Sequence, residues 1–364
     1  MSNLKYSLLA GAAFALGTAL ATTGAAAMGP NYAGKTVTII VPTKEGGGTD
    51  RFARVLQPYL SKYLPGKPTV VSLNKPGGGS VRGANWFEKS GRKDGSEVFV
   101  GGGSLTASYL FNKKAKFDLR KWRPVMLAAF GYCFYAHKDV GLSGKDIVSD
   151  IAKLKKTTPL LMGAKNKKSG EIPAFLAYDM VGLNHAKPVF GLSSGKRRKA
   201  TLRGETQFSI DTGLKCGKIK KFEKKGMLNL YMTMGILKDD KIVRDPMFPK
   251  LPTVIEVTEK VTGKKPTGEV LSAHRHLLAT IIMSNKSLWL PANTPEPVYQ
   301  AYVKAVTAML VDKDFKKQTK KTFGVYPQAV GADAEKMRDS GFNFKPSTKI
   351  WIDNWIEKRM NAGS

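Results

Sequence analysis

The stretch Val37-Thr38-Ile39-Ile40-Val41-Pro42-Thr43-Lys44-Glu45-Gly46-Gly47-Gly48-Thr49-Asp50 decides the fold. Thr36 to Val41 is a continuous β-branched run, as a parallel strand buried on both faces requires. Pro42 to Gly48 is a glycine-rich loop, and Thr49 or Asp50 can cap a helix beyond it. Phe52, Val55, Leu56, Tyr59, Leu60 and Tyr63 then fall at i, i+3, i+4, i+7, i+8 and i+11. That spacing is one face of a helix, closed by Pro65-Gly66, with Pro58 predicting a kink or restart.

The same strand–loop–helix unit recurs outward from this point. Thr69 to Leu73 is strand-like, Asn74 to Ser80 is its loop, and a helix from about Val81 to Lys89 ends at Gly91. Glu97 to Val100 and Gly101 to Ser104 make a third strand and loop. Right-handed crossovers place all three loops at one sheet edge, where α/β sheets bind ligands. The apolar stretches Val125–Phe130 and Tyr132–Ala136 are long enough to leave one lobe and enter another. A second set has strands at 159–162, 187–190 and 207–210, with loops Gly163–Gly170, Gly191–Gly195 and Asp211–Gly213 after them. His276 to Met283 can return the chain. Pro291 to Pro297 opens a helix with Val298, Tyr299, Tyr302, Val303, Val306 and Met309 on one side. The expected fold class is therefore α/β with two lobes, each a mostly parallel sheet flanked by helices. The expected division is residues 28–130 with 270–364 in lobe 1, and 131–269 in lobe 2.

The first residues read as an export signal. Lys5 gives a basic start, Ser7 to Leu20 is almost uncharged, and Ala25-Ala26-Ala27 offers a cleavage site, so segment 1–27 is expected to be removed. No later segment has about 18 uninterrupted apolar residues. The two cysteines, Cys133 and Cys216, can form one bridge or remain two buried thiols; an oxidising compartment permits either.

Lys and Arg number 59 against 28 Asp and Glu, a formal charge of +31. Such a balance often marks nucleic-acid binding. Here the charge is spread along the chain, and its densest runs, Lys196–Lys199 and Lys215–Lys225, are short and lack a zinc-finger or RNP motif. The expectation is a solvated basic surface, without nucleic acid, that speeds capture of anions but does not form the site.

Enzyme signatures fail on inspection. Thr43 to Asp50 lacks the Gly-Lys-Ser/Thr ending of a phosphate loop. Gly102 to Thr106 lacks the second glycine of a nucleophile elbow. His274 and His276 would share one face of a strand, but nothing nearby completes a metal site. A hydrolase or lyase could draw on Ser104 with Asp50 or His137, although His137 falls where the crossing is expected. What remains is glycine loops with small hydroxyls: Thr43, Thr49, Ser80, Ser104, Thr106, Ser169, Ser193 and Ser194. Glycine lets a ligand approach the backbone closely, and helix N-termini favour anions. This is machinery for holding a carboxylate without a cofactor or metal.

The residues carry a family resemblance. Val37 to Asp50 resembles the opening segment of the Bug family, the solute receptors of tripartite tricarboxylate transporters. Asn74-Lys75-Pro76-Gly77-Gly78-Gly79 and Gly101-Gly102-Gly103-Ser104 resemble its second and third loops. Trp122-Arg123-Pro124-Val125 matches the segment before the crossing. Leu202-Arg203-Gly204-Glu205, with Asp211 beyond, is similar to its Leu-Gly-Gly element. Phe248 to Val254 and Leu290 to Pro295 match its two proline-rich markers. The resemblance implies a monomeric periplasmic receptor of Venus-flytrap form. It would bind a small carboxylate and deliver it to membrane subunits. The implied ligand residues are Thr43, Glu45, Gly46, Gly47, Gly48 and Asp50 of the first loop, then Gly78, Gly79, Ser80, Ser104 and Thr106. Lobe 2 would add Ala164, Asn166, Ser169, Ser193, Ser194 and Asp211. Two loops depart from the family pattern. Gly163 to Glu171 carries Lys165, Lys167 and Lys168, and Phe190 to Gly195 replaces the usual Tyr-Lys-Gly.

Overall fold

The computed structural model describes residues 29–320 and 325–361, so the expected export signal lies outside the described residues. The first half of the chain runs β1 (Thr36–Val41), α1 (Gly48–Tyr63), β2 (Thr69–Asn74), α2 (Val81–Ser90), β3 (Glu97–Gly102), α3 (Gly103–Phe111), β4 (Arg123–Ala128) and β5 (Tyr132–His137). Next come α4 (Ile147–Lys156), β6 (Leu161–Gly163), α5 (Ile172–Met180), β7 (Lys187–Val189), α6 (Ser194–Leu202), β8 (Phe208–Thr212), α7 (Gly213–Lys224) and β9 (Leu228–Thr233). The last third is the hairpin β10 (Ile236–Lys238) and β11 (Lys241–Val243), then α8 (Val254–Thr262), α9 (Gly268–Leu277) and β12 (Lys286–Leu290). It closes with α10 (Glu296–Val311), α11 (Lys313–Thr319), β13 (Gln328–Val330), α12 (Ala332–Phe342) and α13 (Pro346–Asn361).

The larger sheet has the order β13-β4-β12-β3-β1-β2. β1 pairs in parallel with β2 and β3, while β12 runs antiparallel to β3 and β4. The β-branched run explains the central place of β1: Val37, Ile39, Ile40 and Val41 are fully buried, on both faces of the sheet. The edge strand β2 leaves Val71 and Leu73 exposed. The apolar stripe of α1 buries Phe52, Leu56 and Leu60, each contributing roughly 1.5–3 kcal/mol. Pro58 lies inside one helix, without the expected restart. The second lobe holds a three-stranded antiparallel sheet, β8-β5-β9, and the parallel pair β6-β7.

Two connections cross between the lobes side by side. Residues 129–131 join β4 to β5, and the Phe130 amide donates to the Ile282 carbonyl at 3.1 Å. The return crossing differs from the expected strand. α9 passes into a π-helical turn at Leu278–Ile282, and β12 starts only at Lys286. Ala273, Leu277 and Ile281 recur at i+4 in one core, a helical period that wins over the apolar run. His274 and His276 therefore sit on a helix rather than on one face of a strand. Burial pushes both down to about 4, so they are neutral at pH 7.

The C-terminal segments pack back onto the core around β5. Ala273 to Ile282, with Ile352, Ile356 and Met360 of α13, join the core that contains β5, α5 and β8. The segment after residue 270 thus serves both lobes, because α13 returns to lie on α9 and α5. Cys133 and Cys216 are bridged, fastening α7 to β5 across 83 residues of sequence. Among the described residues no helix is long and apolar enough to cross a membrane.

Candidate ligand cleft

Six strand-to-helix turns, three from each lobe, open onto one cleft of about 690 Å³. That volume lies within the range of small-molecule sites. The turns before α1, α2 and α3 supply one wall, and those before α5, α6 and α7 the other. Tyr132, Asn285 and Lys286 come from the crossings at its base.

The helices that start here are bare at their N-termini. α1, α3, α6 and α7 begin at Gly47, Gly102, Ser193 and Thr212, none of which makes a side-chain capping bond. Each start leaves up to four amides without helical acceptors, and the aligned peptide dipoles favour an anion. Among the helices that start elsewhere, α9, α10 and α12 likewise lack a side-chain cap, whereas three others have one. α4, α8 and α11 are capped by Asp146, Thr253 and Asp312. An acidic residue stands in the first turn of α4, α8, α9, α10, α11 and α12, whereas α2, α3, α5, α6 and α7 have none.

The first wall is shaped by glycine. From Gly77 to Ser80 four successive residues have positive φ, between 56° and 142°, which side chains rarely tolerate. A Cβ on Gly47 would stand 2.9 Å from the Lys44 carbonyl oxygen, and one on Gly79 would stand 3.0 Å from Asn166 Nδ2 of the opposite wall. Asp50, the one acid in a first turn at the cleft, folds back instead of facing it. Its carboxylate accepts from the Gly46 amide at 2.8 Å, from Arg54 Nε at 3.0 Å and from Asn74 Nδ2 at 3.0 Å. Burial would raise this carboxyl, but those bonds from Arg54, Asn74 and Gly46 outweigh it and hold it below the ordinary value.

The second wall is built from charge. Arg197 and Glu171 form a buried pair at 2.6 Å, with Ser169 also on Glu171. Burial opposes ionisation of Glu171, yet Arg197 and Lys165 draw it down to about 2. Arg198 Nη1 meets Asp211 Oδ2 at 2.7 Å, and the Tyr135 hydroxyl donates to the same oxygen. Lys165 reaches across the cleft to donate to Ser104 Oγ at 2.8 Å. Lys215, at the start of α7, is lowered to about 8 by burial and by Arg51, Lys218 and Arg198. In all, seven basic and three acidic side chains line the cleft, so an anionic guest is favoured.

Of the expected ligand residues, Thr43, Glu45, Gly46, Gly47, Gly48, Gly78, Gly79, Ser80, Ser104, Asn166, Ser193, Ser194 and Asp211 line the cleft. Asp50, Thr106, Ala164 and Ser169 stand behind its walls. Asp50 holds the first loop, Thr106 bonds Ser284, and the Ala164 amide and carbonyl pair with Val189 and Leu192. Ser169 bonds the Asn166 carbonyl and Glu171. The residues not foreseen are Arg51, Tyr132, Glu171, Arg197, Arg198, Lys215, Asn285 and Lys286. For Arg197, Arg198 and Lys215 a signal existed: the basic runs begin within two residues of the end of a cleft loop. The expectation that basic residues stay on the solvated surface therefore fails at these positions. Tyr132, Asn285 and Lys286 lie on the crossings and carry no sequence signal. Among the described residues no group of three His, Cys, Asp or Glu could hold a metal.

No family model and no curated protein matches the chain. Solved structures do. The periplasmic binding protein BugD superposes with a TM-score of 0.63 at 19% identity, covering 90% of this chain and 97% of its own. MatC from Rhodopseudomonas palustris with bound malate gives 0.60 at 19%, covering 90% and 99%. An R. palustris protein with adipate gives 0.64 at 19%, covering 90% and 97%. The fold is that of a two-lobed periplasmic binding protein. In that fold the cleft between the lobes is where the six turns meet, and the paired crossings at its base are the connectors between lobes.

Proposed function

We propose that the chain is an extracytoplasmic receptor that captures a small organic anion, carboxylate-bearing, and presents it to a tripartite tricarboxylate-type membrane transporter. The observation that carries the reading is the cleft itself: uncapped helix starts from both lobes converge with an excess of basic side chains. Malate and adipate in the two similar structures favour the same chemistry. The Cys133–Cys216 bridge suits an oxidising compartment outside the cytoplasm. Capture closes the lobes about residues 129–131 and the return crossing, in the manner of hinged receptors. Native mass spectrometry of the purified protein, with calorimetry on the released solute, tests the reading. A bound organic anion that also lowers the radius of gyration in small-angle scattering is expected. Carriage of only neutral solutes would overturn it.

A hydrolase on the same scaffold is the second reading. Asp50 is committed to the first loop, and His137 ends β5 beside Asp139, so neither serves Ser104. Lys165 reaches the Ser104 hydroxyl, and its burial lowers its proton affinity, which keeps a serine–lysine pair in view. Turnover of carboxylic esters or amides, lost in Ser104→Ala, would favour it.

A further inference from the structure

Two lysines meet at the base of the cleft, one from each side. Lys286 begins β12 and is 4% exposed. Its ammonium donates to the Asn285 carbonyl at 3.0 Å and to Asn285 Oδ1 at 2.8 Å. Lys165, from the turn before α5, donates to Ser104 Oγ at 2.8 Å. Both contacts are to neutral acceptors, and neither lysine belongs to an ion pair among the described residues. The acid nearby, Glu171, is already held by Arg197 and Ser169. Tyr132, the remaining titratable neighbour, donates its hydroxyl to the Gly170 carbonyl and is kept protonated by burial. The base of the cleft thus carries two ammonium groups that repel one another in a desolvated setting, where an unpaired charge is costly.

Resting on the receptor reading, we infer that Lys286 and Lys165 jointly bind an anionic group of the solute by direct charge contact, so that capture of the anion is coupled to uptake of a proton. Lys286 is the switch. Burial, then Lys165, lowers it to about 7, so near neutrality a large fraction is uncharged in the empty cleft. An anion laid between the lysines restores the ammonium. Affinity is therefore full below pH 7 and falls as pH rises through the free-state value, by up to about tenfold per unit until the bound-state value is reached. Lys215, on the same wall as Lys165, is lowered to about 8 and adds a smaller dependence of the same sign.

Calorimetry with malate, adipate and inorganic phosphate at pH 6 and 8.5, in buffers of differing ionisation enthalpy, tests this on the whole mature chain. Wild type is expected to bind at least one anion about tenfold or more tightly at pH 6 and to take up protons at pH 8.5. Carboxylates alone, or phosphate as well, as the bound probe tells which anion class fits. Lys286→Met should weaken binding at pH 6 and flatten the profile, with thermal denaturation confirming the fold. Lys165→Gln, on a partly exposed turn, should weaken binding independently, and Lys215→Met should keep most of the proton uptake. Tight binding with a flat profile, or a profile unchanged in Lys286→Met, overturns this inference while leaving the receptor reading intact. Failure to bind any anion at either pH overturns both.

Discussion

The two walls of the cleft share one plan and differ in material. Each presents three strand-to-helix turns. The wall before α1, α2 and α3 is made of backbone: Gly46, Gly47, Gly48, Gly77, Gly78, Gly79, Gly102 and Gly103 line it, with Lys44 and Arg51 as its cations. The wall before α5, α6 and α7 holds Gly170, Gly191 and Gly195 but four basic side chains, Lys165, Arg197, Arg198 and Lys215. A backbone wall offers fixed amide dipoles that cost little to reorganise and recognise a carboxylate wherever it is attached. A side-chain wall adds net charge, and it needs internal carboxylates, Glu171 and Asp211, to keep its arginines in place. The first wall suits recognition of a common head group, the second discrimination of what the solute carries at its other end.

The largest expected effect falls on the charged wall. Arg197→Met leaves Glu171 buried without its partner and should destabilise the protein by roughly 3–5 kcal/mol. Urea denaturation measures it. Glu171 has a depressed value in the folded state, so its stabilising contribution is present above its ordinary value near 4.5 and is lost as pH falls toward about 2. That acid dependence should shrink in Arg197→Met. A loss below about 1 kcal/mol would mean that the pair does not organise this wall.

An intermediate effect is expected on the backbone wall, and on affinity rather than stability. Gly47→Leu places a Cβ against the Lys44 carbonyl oxygen and shifts the loop before α1. Loss of one or two charge-assisted amide contacts corresponds to about a hundredfold weaker binding. Calorimetry, with the melting temperature as control, separates this from unfolding. Unchanged affinity would remove the backbone wall from the site.

The smallest effect sharpens the contrast between surface and cleft charge. Lys44 is exposed at the lip of the first wall. Lys44→Ala should slow association slightly at low salt and leave dissociation unchanged, an effect of about 0–1 kcal/mol that disappears at physiological ionic strength. Stopped-flow fluorescence reads both rates. A faster dissociation in Lys44→Ala would show that the lip, too, holds the solute.

Much of this was legible in the chain. The run Thr36–Val41 with its glycine loop and the stripe Phe52–Tyr63 fixes a strand, a tight turn and an amphipathic helix by local chemistry alone, and repeated units place the loops at one edge. The backbone wall could be read because glycine is informative in itself: it marks where the chain must bend left-handed or come close to something. The charged wall could not be read in the same way. A lysine or arginine in sequence gives no sign of whether it faces water, and among the described residues most do.

The order of residues alone set the α/β alternation, the positions of the six turns and the excess of positive charge. Folding selected which few of those charges matter. It turned α6 and α7 so that Arg197, Arg198 and Lys215 enter the cleft, and bridged Cys133 to Cys216 to hold α7 there. It drew Asp50 back onto its own loop. It brought Lys286, 121 residues from Lys165 in the chain, to the base of the same cavity. Local conformation depends on neighbours within a few residues, whereas the environment of a charge depends on burial and on partners that only the folded chain assembles.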